Sequence, residues 1–274
     1  MREYQVRTSH RPRPLPSGRW VMTQRWNDLL FAHWPVPASA LARFIPEGLQ
    51  VDTYQGSAWL GVVPVWVDRV KFRSLPSLPA SRNCPEISVR TYVRDPHGNT
   101  PGVFFLSIDA ASLLTVLFGR SLYRLPCHWS DIRFEQRCER EFSIAIDRRL
   151  TRNPVLFTAR YRGLGPTRRL VESRPGSLEH FLTERYCLFT RDRDGHPMRA
   201  DVHYVPWPLE EAEADIQRND LASALGIRLP NIPPVLHYSR RLAVYVWQLE
   251  RVRAARARQR IPATAVPSTS TQIP

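Results

Sequence analysis

The chain has 274 residues, 43% hydrophobic and 23% charged, which is enough apolar material for one large or two small cores and excludes a disordered or fibrous chain. The formal net charge is +14, but much of the excess lies at the ends, in Arg2, Arg7, Arg11, Arg13 and Arg19 and in Arg251, Arg253, Arg256, Arg258 and Arg260. No zinc-finger spacing, helix-turn-helix or RNA-binding signature accompanies it, so nucleic acid is not the expected partner, and nonspecific anion attraction by the ends is the simpler reading.

Residues 1–19 are basic and Pro-rich and read as a disordered tail. Residues 26–34 (WNDLLFAHW) read as an aromatic strand stopped by Pro35 and Pro37. A short helix is expected at 38–44, with Ser39 as a cap. Residues 58–67 (AWLGVVPVWV) form a long β run in which Pro64 implies a bulge or an edge. Residues 73–85 are a Pro/Ser-rich loop. Residues 86–94 (EISVRTYVR) alternate, with Glu86, Ser88, Arg90 and Tyr92 on one face and Ile87, Val89, Thr91 and Val93 on the other. After a DPHG turn, residues 102–109 pair back as the hairpin partner.

A helix is expected at 110–123, its Leu113, Leu114, Leu117 and Phe118 sharing one apolar face. Strands follow near 127–133, 142–148 and 155–162, a helical turn near 177–183, and strands at 186–191 and 199–204. Residues 208–215 are acidic and read as helical, and 220–225 as another short helix. Residues 236–249 supply the last core strand. Residues 252–274 are basic and then Pro/Ser/Thr-rich, a second disordered tail, which leaves 20–251 as a single folded domain. Hairpins with a few helices argue α+β: a curved antiparallel sheet or closed barrel with flanking helices.

Cys84, Cys127, Cys138 and Cys187 lack CxxC spacing and no HxH or HxxxH occurs, so no metal and no cofactor is expected. Reduced thiols point to the cytoplasm. The N-terminus has charge without an apolar core and is not a secretory signal, and the apolar stretch 102–119 is interrupted by Asp109, so no membrane span is expected.

Glu86, Arg90 and Tyr92 offer a proton carrier, a carboxylate anchor and a phenol if their face points inward; an outward face would make them a solvated charge ladder. Asp109 ends an apolar strand and is either a helix cap or a buried ligand-binding carboxylate. His33 and His128 are candidate cavity groups, although ordinary core histidines satisfy the same pattern. Cys127 and His128 are adjacent and point apart, so they do not form a nucleophile–base pair. Arg185 is expected to pair with Glu184 or with Glu86, and a structural ion pair closing the barrel is the simpler reading of Glu184 and Arg185.

Four segments in order, FAHWPVP, EISVRTYV with its partner PGVFFLSIDA, FLTERYCLF and VHYVPWPLEEAEA, resemble the YqjF-like family of unknown function over residues 20 to 250. That family resembles acetoacetate decarboxylase in fold, and the resemblance implies a closed, curved β-structure with an internal ligand-sized cavity whose decarboxylase members use cavity Glu and Arg. Those members carry a Schiff-base lysine after the helix–Pro junction. Here the junction is RLPCHW, so Cys127 and His128 stand in its place, and the chain's one lysine, Lys71, reads as a surface residue. The expected function is therefore an enzyme acting on a small carbonyl or carboxylate compound without an imine, with Glu86 and His128 as catalytic groups and Arg90, Tyr92, His33 and Asp109 binding the ligand. A non-catalytic small-molecule binder or sensor is the alternative, and nucleic-acid binding through the Arg-rich ends a third. A homo-oligomer is compatible with the sequence.

Overall fold

The computed structural model describes residues 8–74, 83–97, 99–165, 168–169 and 174–252. The expected tails at 1–7 and 253–274, and most of the expected loop at 73–85, lie outside the described residues. The strands of the first half are β1 (Met22–Val36), β2 (Gln50–Val51), β3 (Ala58–Phe72), β4 (Cys84–Asp95), β5 (Thr100–Ala110), β6 (Cys127–Cys138) and β7 (Glu141–Arg148). Those of the second half are β8 (Leu156–Gly163), β9 (Arg168–Arg169), β10 (Cys187–Arg191), β11 (Pro197–His203), β12 (Pro208–Asn219), β13 (Val235–Val246) and β14 (Glu250–Arg251). Helices α1 (Ala38–Ala42), α2 (Leu113–Leu122) and α3 (Leu178–Thr183) flank them. No described helix is long and apolar enough to cross a membrane.

The sheet closes on itself through a fork. One edge of β5 pairs with β4; the other pairs with β10 near Val103 and with β6 near Ile108, both in parallel. β13 mirrors this, pairing with β1 on one edge and with β12 and then β11 on the other. Two rings result that share β13, β1, β3, β4 and β5 as a common wall. The larger, nine-stranded ring runs through β6, β7, β8 and β12 and encloses one core, with Leu30, Ile87, Val89, Phe142 and Phe157 inside it. The smaller ring runs through β10 and β11 and encloses the other, with Phe31, Val63, Val202 and Val246. The shared strands are thus buried on both faces, which is why residues 58–67 of β3 read as a nearly continuous apolar run and why even the polar face of the alternating β4 lies inside the protein.

A bulge sets which side chains enter the smaller ring. Asp28 has φ 52°, and the β1–β3 register slips between Asn27 and Ala32. Before the slip Gln24 and Trp26 face the smaller ring; after it Leu29 does, while Leu30 and Ala32 join the other core. Tyr161 donates to the Asp28 carbonyl at 2.6 Å and Tyr238 to its carboxylate at 2.7 Å, holding the bulge. Pro64 lies opposite this slip, between Val62 and Trp66, where its missing N–H interrupts no regular ladder, as the expected bulge requires.

Four local expectations are corrected. Ser39 does not cap α1; Pro37 occupies the cap position without a side-chain bond. α2 buries Val116, whereas Leu113, Leu114 and Leu117, expected to face the core, are each about half exposed, at 47%, 49% and 50%. Residues 208–215 are strand β12, not helix: Ala212, Ala214 and Ile216 pack inward between outward carboxylates, and pairing with β8 overrides the helix preference of Glu and Ala. Residues 8–19, expected as tail, contact the barrel: His10 bonds the Tyr204 carbonyl at 2.8 Å, Arg11 donates to the Val202 carbonyl at 2.7 Å, and Trp247 donates to the Gly18 carbonyl at 2.8 Å.

Candidate functional site

The smaller ring holds a partly open cavity of about 140 Å³. Its walls are largely apolar, with Leu29, Val63, Val65, Phe105 and Ile108 prominent. Among the described residues, its ionisable lining groups are Glu86, Arg90, Tyr123, Arg185, Cys187 and Tyr204.

The alternation of β4 delivers the first two. Glu86, Ser88 and Arg90 face the cavity while Ile87 and Val89 face the other core. The polar face therefore points inward, away from solvent. Burial pushes the Glu86 carboxyl up to about 7, against which a hydrogen bond from the Cys84 thiol acts weakly. Behind Glu86 the thiols of Cys84 and Cys127 are each pushed up to about 12 by burial, and the Cys84 sulfur lies 3.3 Å from Thr115 Oγ1. Neither thiol is a ready nucleophile.

Arg90 is buried, its guanidinium 5.1 Å from the Phe31 ring. Its Nε has no hydrogen-bond partner in the protein, and no carboxylate pairs with it among the described residues. Gly61 makes room for this arrangement: a Cβ there would stand 2.9 Å from the His33 ring and 3.4 Å from Arg90 Cγ.

The other expected site residues lie elsewhere. Tyr92 is fully buried outside the cavity lining, beside Trp59 and Leu182, and its hydroxyl meets His33 Nε2 at 2.7 Å. Burial holds His33 well below the usual histidine range, with Arg90 and His237 adding repulsion, so it stays neutral. Arg90 hydrogen-bonds the Tyr92 hydroxyl, and neither Tyr92 nor His33 lines the cavity. Asp109 is neither a cap nor a cavity group. It accepts two hydrogen bonds from Arg148, each at 2.7 Å, and one from Ser130 at 2.6 Å, and Ser112 caps α2 in its place. His128 pairs in register with Asp109 at the β5–β6 junction, half-buried, and is lowered mainly by burial. Lys71 is exposed near the end of β3, away from the cavity wall.

The pairing of Arg185 with Asp52 escapes sequence reasoning. Arg185, from the chain just after α3, lines the cavity and pairs with Asp52 at 2.6 Å, not with Glu184 or Glu86. No pattern marks that pair, because 133 residues separate its members. Asp192, Asp194 and His196 cluster on the β10–β11 turn, but Asp192 is already engaged by the backbone N–H groups of Asp194 and His196 and by Arg251.

Comparison with known proteins agrees with this architecture. The structure resembles an acetoacetate decarboxylase from Legionella pneumophila, with a TM-score of 0.57 at 12% identity over 91% of this chain and 94% of that one. An acetoacetate decarboxylase-like enzyme from Sphingomonas wittichii gives 0.58 at 12% identity over 89% and 99%. The enduracididine biosynthesis enzyme MppR, in a structure with pyruvate, gives 0.56 at 11% identity over 86% and 91%. In sequence, the chain is 38% identical over 240 residues to the uncharacterized protein YqjF of Bacillus subtilis, covering 86% of this chain and 95% of that protein. The model of the DUF2071 family, described as an uncharacterized conserved protein, matches residues 23–243, and with that match spanning strands of both rings, the chain belongs to the DUF2071 family on an acetoacetate decarboxylase-like fold.

Proposed function

We propose that the cavity takes a small carbonyl or carboxylate compound, that Arg90 anchors its carboxylate, and that Glu86 carries a proton to or from it without a covalent imine. One observation carries this reading: a carboxyl raised to about 7 and a buried guanidinium with no carboxylate partner among the described residues share one face of β4 inside an apolar cavity. A carboxyl near neutrality gives and accepts protons with comparable ease, which suits enolisation, hydration or dehydration, or cyclisation. An unpaired buried cation supplies a strong, oriented contact to a carboxylate. The structural neighbours, among them an acetoacetate decarboxylase and a pyruvate complex, are consistent with ligands of this size and chemistry. His128, outside the cavity lining, has no part in the scheme. The three buried cysteines are free thiols, which suits a cytoplasmic protein.

A non-catalytic binder is the second reading, and one observation favours it. Burial pushes Tyr123 up to about 12 and raises Cys187 and Tyr204 further, so Glu86 has no proton-transfer partner in the described lining. Incubation with a broad carbonyl panel, followed by mass spectrometry, separates the two. Turnover that falls by about 10²-fold or more in Glu86→Gln supports the enzyme. Retention of a compound without turnover supports the binder.

Imine chemistry needs a primary amine at the ligand. Lys71 is the chain's single lysine and is exposed near the end of β3. Borohydride treatment with acetoacetate or pyruvate, read by intact mass, is expected to leave no specific adduct. A stoichiometric adduct mapped to Lys71 would restore a Schiff-base mechanism.

A further inference from the structure

Two buried arginines border the cavity, and they are not equivalent. Arg185 is neutralised: it donates to Asp52 Oδ2 at 2.6 Å and to the Phe181 carbonyl at 2.6 Å. The rings of Phe181 and Tyr92 cover it at 4.3 Å and 5.0 Å. Asp52 is itself held by a second arginine from the outer side, Arg94, at 3.3 Å. Asp52 does not line the cavity; it acts on it through Arg185. Arg90, by contrast, has the Phe31 ring and the Tyr92 hydroxyl as neighbours and no carboxylate partner among the described residues.

We infer that Asp52 is a specificity-determining residue: by pairing with Arg185 it leaves Arg90 as the one cation of the described cavity lining without a carboxylate partner, which fits the site to singly charged carboxylates and excludes dicarboxylates. This rests on the reading that Arg90 anchors the ligand carboxylate. A monocarboxylate and Arg90 cancel each other's buried charge, and the apolar walls then receive the rest of the ligand. A second carboxylate would face Val63, Val65 and Phe105, or Glu86, none of which supplies a cation. When protonated, Glu86 offers it a single hydrogen bond; when ionised, it repels it. Rejection of the dianion therefore comes from a buried charge left without a partner.

Calorimetric titration of the full chain at pH 7 with 4-oxopentanoate and glutarate, acids of equal carbon number and different charge, tests this. The wild type is expected to bind 4-oxopentanoate about tenfold or more tightly than glutarate. Asp52→Asn frees Arg185 and is expected to tighten glutarate and shrink that ratio by about tenfold. Asp52→Ser gives the same comparison should the Asn variant be too unstable to titrate. Glutarate binding as tightly as the monocarboxylate in the wild type overturns the inference without any variant, and so does an unchanged ratio in both Asp52 variants. Arg90→Gln separates this from the parent reading. If Arg90→Gln leaves binding intact, Arg90 is not the anchor and both fail. If it abolishes binding while the Asp52 variants leave the ratio unchanged, only the role of Asp52 fails. No binding of either acid to the wild type at millimolar concentration overturns both.

Discussion

Asp109→Ala is expected to destabilise the fold by about 3–5 kcal/mol, the characteristic cost of removing one partner from a buried ion pair. Asp109 is fully buried and the Arg148 side chain is 6% exposed, so the guanidinium left behind could not recover its hydration. The location adds to the effect. Asp109 stands on β5, Ser130 on β6 and Arg148 on β7, and the network joins them where β5 leaves the smaller ring for the larger. That parallel junction has three registered residue pairs, Ile108–Cys127, Asp109–His128 and Ala110–Trp129, so side-chain bonds carry much of its definition. Urea denaturation of the variant, compared with the Asp109→Leu/Arg148→Met double variant, provides the measurement. The double variant is expected to recover most of the loss, because no unpaired charge remains. A loss under about 1 kcal/mol in Asp109→Ala would mean that water or a neighbouring group replaces the carboxylate.

Glu86→Gln is expected to stabilise the protein in neutral and alkaline solution while abolishing any proton transfer in the cavity. The sign follows from burial. The folded-state value of about 7 lies above the ordinary 4.5, so the folded chain holds its proton more tightly than the unfolded chain. Below pH 4.5 both states are protonated and the group contributes nothing to the pH dependence. Between about 4.5 and 7 the unfolded carboxyl ionises while the folded one stays neutral, so wild-type stability falls as pH rises. Above 7 both are ionised and the loss is constant, at up to about 3 kcal/mol. Glutamine does not titrate and escapes this loss. The two proteins should therefore match at pH 4 and diverge up to pH 8, with the variant the more stable; parallel profiles would refute a raised Glu86. Stability surrendered at one buried acid is a common mark of a functional group.

The alternation of residues 86–94 by itself determined that β4 exists and that Glu86, Ser88 and Arg90 share a face, because side chains on a strand have a period of two. It could not determine where that face points. Both faces of β4 are buried, one in each ring, and solvent no longer distinguishes them. The hairpin of β4 and β5 was legible for the same reason, and so was the register break at Pro64, whose missing N–H is a local fact. Local composition misled where tertiary pairing was stronger than propensity. The Glu- and Ala-rich residues 208–215 became β12 because β8 and β13 offered ladders on either side. The leucines of α2 turned outward because the helix is anchored through Val116 and Phe118, the latter against Phe72.

The site divides in the same way. Glu86 and Arg90 were legible as a pair because one strand carries both. The neutralisation of Arg185, the removal of Asp109 from the cavity and the retreat of His33 and Tyr92 behind Arg90 were decided only by the tertiary structure. Each depends on a partner brought from a distant strand or loop into a water-poor interior. There a charge must find its counter-charge or lose its proton, and sequence separation has no bearing on which groups meet.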